Sequence, residues 1–469
     1  MGKNGFDMVI LGSGSAAFAA AIKASSLGAK VAITEHDTIG GTCVNRGCIP
    51  SKNLIRAAEV YHDSIYSGYL GLDCKGRKAD FELLIKDKDS LVEKLRNKKY
   101  IGIADGDPNI SIMNGRSEFI SSGEVKVNGE AVSADKFMVA TGSRPRILDI
   151  PGLQDTSYLT SREAFDLKEL PESITIIGGG FIAVELGQMF QRLGSYVTII
   201  ERSGHILSSM DEEVADALSS YLAEEGVQIK TGWAMEYVSG ENGGEVRVNG
   251  VVSGKEEEVK SQFLLLASGR VPNSDGLGLE RAGIEVSERG FIKVDKHLRT
   301  SAANVWAAGD VTGPPMATPV SGREGVIAAE NALNGSGREV DYTTVPRAVF
   351  TDPEVGSVGL TVEEAEQKGY RVKANCLHMT EVPKAAAIFD TRGLVKMVID
   401  EETNKILGVH LVANRGSDII HEAVLAVKFG LTIDNLIDTI HVYPTMSEAL
   451  RMAAQSFTRD VSKLSCCAE

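Results

Sequence analysis

Short continuous apolar runs alternate along the chain with stretches whose apolar positions return every three to four residues, the pattern of buried strands feeding amphipathic helices. Residues 7–11 (Asp-Met-Val-Ile-Leu) predict a strand, the alanine-rich stretch to Leu27 a helix, and residues 30–35 a second strand that ends in Glu35. The order returns with residues 173–177 (Ser-Ile-Thr-Ile-Ile), then Phe181 to Gly187, then 196–201, which ends in Glu201. Residues 138–143 and 265–270 are apolar runs that close on small-residue turns, read most simply as buried strands. Farther on, 345–350, 355–360, 394–399 and 406–412 predict strands, and 418–429 and 447–457 predict helices.

Both strand–helix junctions are rich in glycine: Gly12-Ser13-Gly14-Ser15-Ala16-Ala17 at the first, Gly178-Gly179-Gly180 at the second. A glycine turn lets a pyrophosphate approach backbone N–H groups at the helix start, and an acid about 20 residues on meets ribose hydroxyls. Gly12, Gly14, Ala17 and Glu35 therefore form one candidate dinucleotide site, and Gly178, Gly180 and Glu201 a second. Two such folds imply two cofactors.

At 469 residues the chain has room for about three domains. It carries 49 basic against 64 acidic residues, a net charge of −15, which disfavours nucleic acid or an anionic membrane as partner. Six cysteines are too few for a disulfide scaffold and fit a reducing, cytoplasmic setting. The apolar N-terminal residues are explained by the first strand rather than by a targeting signal. No window is apolar enough for a membrane span.

One stretch does not follow from packing alone: Gly40-Gly41-Thr42-Cys43-Val44-Asn45-Arg46-Gly47-Cys48-Ile49-Pro50-Ser51-Lys52. Cysteines at a helix start meet the positive end of the dipole, which favours thiolate and exchange chemistry. A structural disulfide, half a zinc site or two buried small residues are the alternatives, although no nearby Cys or His completes a zinc set. As a block with Lys52, the stretch resembles the redox-disulfide signature of the flavoprotein disulfide reductases, the family of glutathione reductase, dihydrolipoyl dehydrogenase and mercuric reductase.

That resemblance implies an α/β fold with two Rossmann-like dinucleotide-binding domains plus an α+β C-terminal dimerisation domain. The FAD domain would span 1–150 and 272–342, the NAD(P)H domain 151–271, and the dimerisation domain 343–469, giving a homodimer. It further implies that Gly41, Thr42, Lys52, Thr141, Gly142, Gly269, Arg270 and Asp310 contact cofactor, with Arg116 and Thr318 against the FAD through backbone groups. Glu185 is expected to pair with Lys52, and Cys48 to be the sulfur beside the flavin. Phe181 stands where many relatives carry a tyrosine.

Two departures bear on the substrate. Family members acting on glutathione or lipoamide carry a histidine before the Pro-Thr of the last helix; here the segment reads His441-Val442-Tyr443-Pro444-Thr445. A phenol with pKa near about 10 is a poor proton shuttle at neutral pH but can lend its oxygen to a metal or thiolate. His441, two residues away, is a possible substitute base. The chain also ends with Cys466-Cys467-Ala468-Glu469, and vicinal thiols on a terminal arm suit capture of a soft cation. Tyr443 with the Cys-Cys end is similar to the mercuric reductase pattern within the family.

This pattern implies NADPH, or NADH, as electron source and Hg(II), delivered as small-molecule thiol complexes, as substrate. Cys466 and Cys467 of one subunit would pass the ion to Cys43 and Cys48 of the other, beside Tyr443. An N-terminal metal-carrier module with its own Cys-x-x-Cys is not part of the sequence. A thioredoxin reductase-like disulfide reductase and a heavy-metal binding protein are the competing readings.

Overall fold

The computed structural model describes residues 5–66, 69, 71–72 and 78–463. Its first sheet is built from β1 (Phe6–Leu11), β2 (Val31–Glu35), β3 (Ile110–Asn114), β4 (Ser117–Ser121), β5 (Glu124–Val127) and β6 (Glu130–Val139), in the order β3-β2-β1-β6-β5-β4. A distant strand, Val305–Ala307, also pairs with β6. Parallel partners β2 and β6 flank β1, so Met8 to Leu11 are all buried. That two-sided cover is why the run is continuous instead of alternating.

Helix α1 (Ser15–Ser26) follows β1 and buries Ala16, Ala17, Phe18, Ala20, Ala21 and Ala24. Small side chains on this face admit a second helix, Thr318–Asn334, at close range. At Gly325 a Cβ would lie 2.1 Å from the Ala16 carbonyl oxygen, so the approach requires glycine there. The contact fixes where Thr318 begins its helix relative to α1.

A second parallel sheet has the order Gln228–Lys230, Tyr196–Ile200, Ser173–Ile177, Phe263–Leu266. The helix Phe181–Leu193 crosses it, and an antiparallel three-stranded sheet (Ala234–Gly240, Val246–Val252, Lys255–Ser261) lies beside it. The third sheet is antiparallel, with the order Arg347–Val349, Glu354–Gly359, Ile406–Ala413, Leu394–Asp400, Val372–His378. Helices Gly416–Phe429 and Glu448–Gln455 pack on it. The chain is thus an α/β protein with two Rossmann-like units and an α+β unit.

Helices α2 (Gly41–Arg46) and α3 (Cys48–Asp63) connect the first unit to the second. Leu54 and Ala58 of α3 are buried in one cluster with Ala183, Val184 and Leu186, and with Val349 and Val355 of the third sheet. A charged network reinforces the junction. Arg192 binds Glu225 at 2.5 Å and Asp352 at 2.8 Å, Gln188 brackets the Asp352 backbone, and Arg392, just ahead of the strand Leu394–Asp400, closes it. Among the described residues no helix is long and apolar enough to cross a membrane.

Candidate active site

The chain breaks helix between the two cysteines. Cys43 lies inside α2, Gly47 separates the helices with φ −131° and ψ −115°, and Cys48 is the first residue of α3. Both are free cysteines, Cys43 half-buried and Cys48 exposed. The hydrogen bond from Cys43 stabilises Cys48 as thiolate and lowers its pKa to about 6, with further help from the Thr318 hydroxyl and the Lys52 charge. The same bond, together with burial, pushes Cys43 well above the ordinary thiol value. At neutral pH the pair holds a thiolate at Cys48 and a thiol at Cys43.

Two neighbours sustain that thiolate. Thr318 Oγ1 stands 3.7 Å from Cys48 Sγ, where sequence reasoning expected only a backbone role for this residue. Lys52, one turn into α3, places Nζ 2.7 Å from Glu185 Oε2 and 4.4 Å from the Phe350 ring centroid. Glu185 is buried and its other oxygen accepts the Phe350 N–H at 3.0 Å. Phe350 was not legible as a site residue, because nothing in an apolar run marks which member will meet a cation. Phe181 is half-buried against the same core.

The glycine turns have the shape of a phosphate cradle. Gly12 takes φ +103°, and a Cβ there would lie 2.4 Å from the Ala140 carbonyl oxygen. Gly41, at φ +66°, would bring a Cβ within 2.6 Å of Gly14 Cα; the two glycines therefore face each other, with Thr42 exposed beside them. Gly14 caps α1 with no side chain on its first N–H groups and no acid in the first turn, a donor set that suits a pyrophosphate. Ala17 is buried against the strands. Glu35 accepts Ser13 Oγ at 2.6 Å, which adds a hydroxyl that the motif alone did not single out.

A second polar cluster surrounds Asp310. Ser143 Oγ donates to Asp310 Oδ2 at 2.6 Å and accepts from Arg270 Nε at 2.7 Å. Burial depresses the Arg270 pKa, and Asp310 counters it. Asn273 pins Thr141 and Gly142: it accepts the Thr141 hydroxyl at 2.7 Å, donates its amide to the Thr141 carbonyl and its N–H to the Gly142 carbonyl. Gly269, at φ +100°, turns the chain into Arg270. Arg116 is exposed, and its carbonyl accepts the Asn128 N–H.

In the second unit Gly178 has φ +111°, and Gly180 caps its helix with open space where a Cβ would stand. Glu201 accepts the Gly179 N–H at 2.5 Å and the Ser203 N–H at 2.7 Å. The acid thus organises the glycine turn itself. The helix start at Gly180 carries no capping side chain and stays open, a shape that suits a second dinucleotide.

Tyr443 precedes a cis peptide to Pro444 and is exposed. His441 is not exposed beside it: its Nε2 meets Glu422 Oε1 at 2.7 Å and its Nδ1 meets the Thr439 carbonyl at 2.9 Å. Both ring nitrogens are committed within the subunit. Cys466 and Cys467 lie outside the described residues, as does Cys74. Cys376 donates to Glu213 Oε2 at 2.7 Å. Among the described residues no group of three or more His, Cys, Asp or Glu side chains is arranged around a metal position.

Residues 6–325 match the model of the pyridine nucleotide-disulphide oxidoreductases. The chain belongs to this family. Residues 345–454 match the dimerisation domain of the same pyridine nucleotide-disulphide oxidoreductases. The chain is 43% identical to the mercuric reductase of Lysinibacillus sphaericus, covering 99% of this chain and 85% of that one. It is 42% identical to the mercuric reductase of Streptomyces lividans, covering 99% and 98%. Among solved structures it is similar to the HOCl-induced flavoprotein disulfide reductase RclA of Escherichia coli, with TM-score 0.87, 33% identity and 97% and 100% coverage. Membership makes the protein an FAD- and NAD(P)H-dependent oxidoreductase of the disulfide reductase type. The exposed Leu425, Phe429, Ile440 and Val442 give its dimerisation domain an apolar surface of the kind a second copy covers.

Proposed function

We propose that this oxidoreductase reduces Hg(II) to Hg(0) with two electrons from NAD(P)H, and that Cys43 and Cys48 are the sulfur ligands from which the metal is reduced. FAD, when bound, supplies the two-electron relay between the nicotinamide and the metal. Gly12, Gly14, Ala17, Glu35, Gly41, Thr42 and Asp310 would hold it, with Lys52, Glu185, Arg116, Thr141, Gly142, Arg270 and Thr318 around it. Gly178, Gly180, Glu201 and Gly269 would hold the nicotinamide dinucleotide, NADPH by resemblance with NADH tolerated. The thiolate at Cys48 would displace one carrier as thiolate, and the thiol at Cys43 would displace the second, its proton leaving with that carrier as a free thiol. Cys466 and Cys467 of the partner subunit would deliver the metal, with Tyr443 contributing its hydroxyl near the ion.

One observation carries the choice of substrate: the segment before Pro444 offers a phenol, while its one histidine, His441, is tied to Glu422 and Thr439. Reduction of a disulfide needs an acid to protonate the departing thiolate. A thiophilic ion needs sulfur ligands and no such acid. The relatives named mercuric reductase support the same reading. The competing reading, a thioredoxin reductase-like disulfide reductase, is favoured by the Cys-Cys end alone. A solved Cu(II) complex of RclA, 33% identical, makes copper the natural comparison ion. The test is NADPH oxidation by the dimer with Hg(II) in excess thiol, against Cu(II), oxidised thioredoxin, oxidised glutathione and lipoamide. Turnover with Hg(II) alone upholds the proposal. Turnover with a disulfide and none with Hg(II) replaces it.

A further inference from the structure

The residues between the two cysteines are not idle spacer. Arg46 grips Asp37 with both guanidinium arms, NH1 to Oδ2 at 2.6 Å and NH2 to Oδ1 at 3.0 Å, and NH2 also reaches Thr38 Oγ1 at 3.2 Å. Its neighbour Asn45 donates its amide to two carbonyls of the same preceding segment, Ile39 and Gly41, each at 2.9 Å, and accepts from Arg96 at 3.2 Å. Asp37 is itself anchored, because its N–H and that of His36 both bind Glu35 Oε1. The spacer is therefore stitched to the segment that runs from Glu35 to the glycine pair. None of these bonds involves a sulfur. They hold with both cysteines free.

We infer that Arg46, with Asp37, is a positioning residue for the redox pair: the tether holds Cys43 and Cys48 within reach of each other when no disulfide joins them. The inference rests on the reading of these cysteines as the redox pair. A dithiol that must bind an ion between its sulfurs, or close to a disulfide, gains from a high effective concentration of one sulfur at the other. A covalent bond supplies that only in the oxidised state. A planar bidentate guanidinium–carboxylate pair supplies it in the reduced state with little lost freedom per bond. Asp37, held at a pKa of about 2 chiefly by the Arg46 hydrogen bond, keeps its charge throughout the working range. Arg162 approaches the same carboxylate at 3.8 Å but belongs to a different segment and donates no hydrogen bond to the spacer, so it separates tethering from a simple change of charge.

The experiment equilibrates FAD-loaded enzyme with glutathione redox buffers, traps thiols by alkylation and reads the fraction of Cys43–Cys48 disulfide by mass spectrometry. For Arg46→Gln and Asp37→Asn the disulfide should be roughly three- to tenfold easier to reduce, about 15 to 30 mV at about 30 mV per decade. Arg46→Lys, which keeps the charge and loses the fork, should fall between, and Arg162→Gln should match wild type. Flavin content, read from the visible spectrum, should be unchanged in all four. Equal potentials in wild type and Arg46→Gln, or equal shifts in Arg46→Gln and Arg162→Gln, would overturn the tether while leaving the redox pair intact. A wild type that forms no Cys43–Cys48 disulfide at any poise would overturn the redox reading and the tether with it.

Discussion

Lys52 and Glu185 are 133 residues apart in sequence, yet Nζ and Oε2 stand 2.7 Å from each other at the junction of the first and second units. The lysine charge favours the Cys48 thiolate and the glutamate charge opposes it, so the pair sets the thiolate by difference. Lys52→Met should raise the Cys48 pKa by about 1 unit, and Glu185→Gln should lower it by a smaller amount. Absorbance of the thiolate at 240 nm, taken as the difference between enzyme carrying Cys43→Ser and the same enzyme also carrying Cys48→Ala, measures both shifts within one common background. Shifts of the same sign in the two variants would show that neither charge acts on the sulfur directly.

The division of labour between the cysteines gives a second expectation. Because Cys48 is the lower-pKa sulfur, at about 6, the charge-transfer band between thiolate and bound flavin in the two-electron-reduced enzyme should fade as pH falls through about 6 and be full above about 7. Cys48→Ala should abolish the band and Cys43→Ala should keep it. Since the Cys43 hydrogen bond and the Thr318 hydroxyl both lower this pKa, Cys43→Ala and Thr318→Val should each move the midpoint to higher pH. A band that survives Cys48→Ala would reverse the assignment.

Arg192 is a third point of test. Its side chain is only 3% exposed and holds Glu225 and Asp352 together. Removing the cation leaves two carboxylates in a poorly solvated junction with one guanidinium, that of Arg392, to match both charges. Arg192→Met should cost about 3–5 kcal/mol of unfolding free energy, measured by urea denaturation of the flavin-loaded dimer at fixed protein concentration. A loss below about 1 kcal/mol would mean that water reaches the network and screens it.

The strands of the nucleotide-binding units were readable because their cover on both faces writes continuous apolar runs such as Met8 to Leu11. Val372–His378 was not, since it sits at a sheet edge and carries Lys373, Asn375 and His378 among its apolar residues. The run over 345–350 was read too long. Only Arg347–Val349 finds ladder partners, whereas Phe350 leaves the sheet to give its N–H to Glu185. The glycine turns and the cysteine block announced themselves through residue types that packing alone would not select. Ser143, Thr318 Oγ1 and the Arg46–Asp37 pair did not, because each depends on contacts made across the fold by residues common on any surface.

For the Cys-Cys end, the relay predicts a dependence on what carries the metal. Cys466→Ala with Cys467→Ala should lose most Hg(II) turnover in excess glutathione yet keep flavin reduction by NADPH, since hydride transfer uses no atom of the end. Halide complexes, smaller than thiol complexes, should still be reduced. Mixing this variant with Cys43→Ala should restore activity in heterodimers, because each would contain one intact pair of each kind across the interface. Rates in glutathione equal to wild type would return the two terminal cysteines to an inert role.

The most direct test of the proposed chemistry is to trap the metal itself. Wild-type enzyme with NADPH and Hg(II) in excess thiol is purged with inert gas, and the mercury vapour collected is compared with the NADPH consumed. The account predicts one Hg(0) released for each NADPH oxidised, and none from enzyme lacking Cys43 or Cys48. NADPH oxidation without mercury vapour, together with reduction of an added disulfide, would contradict it.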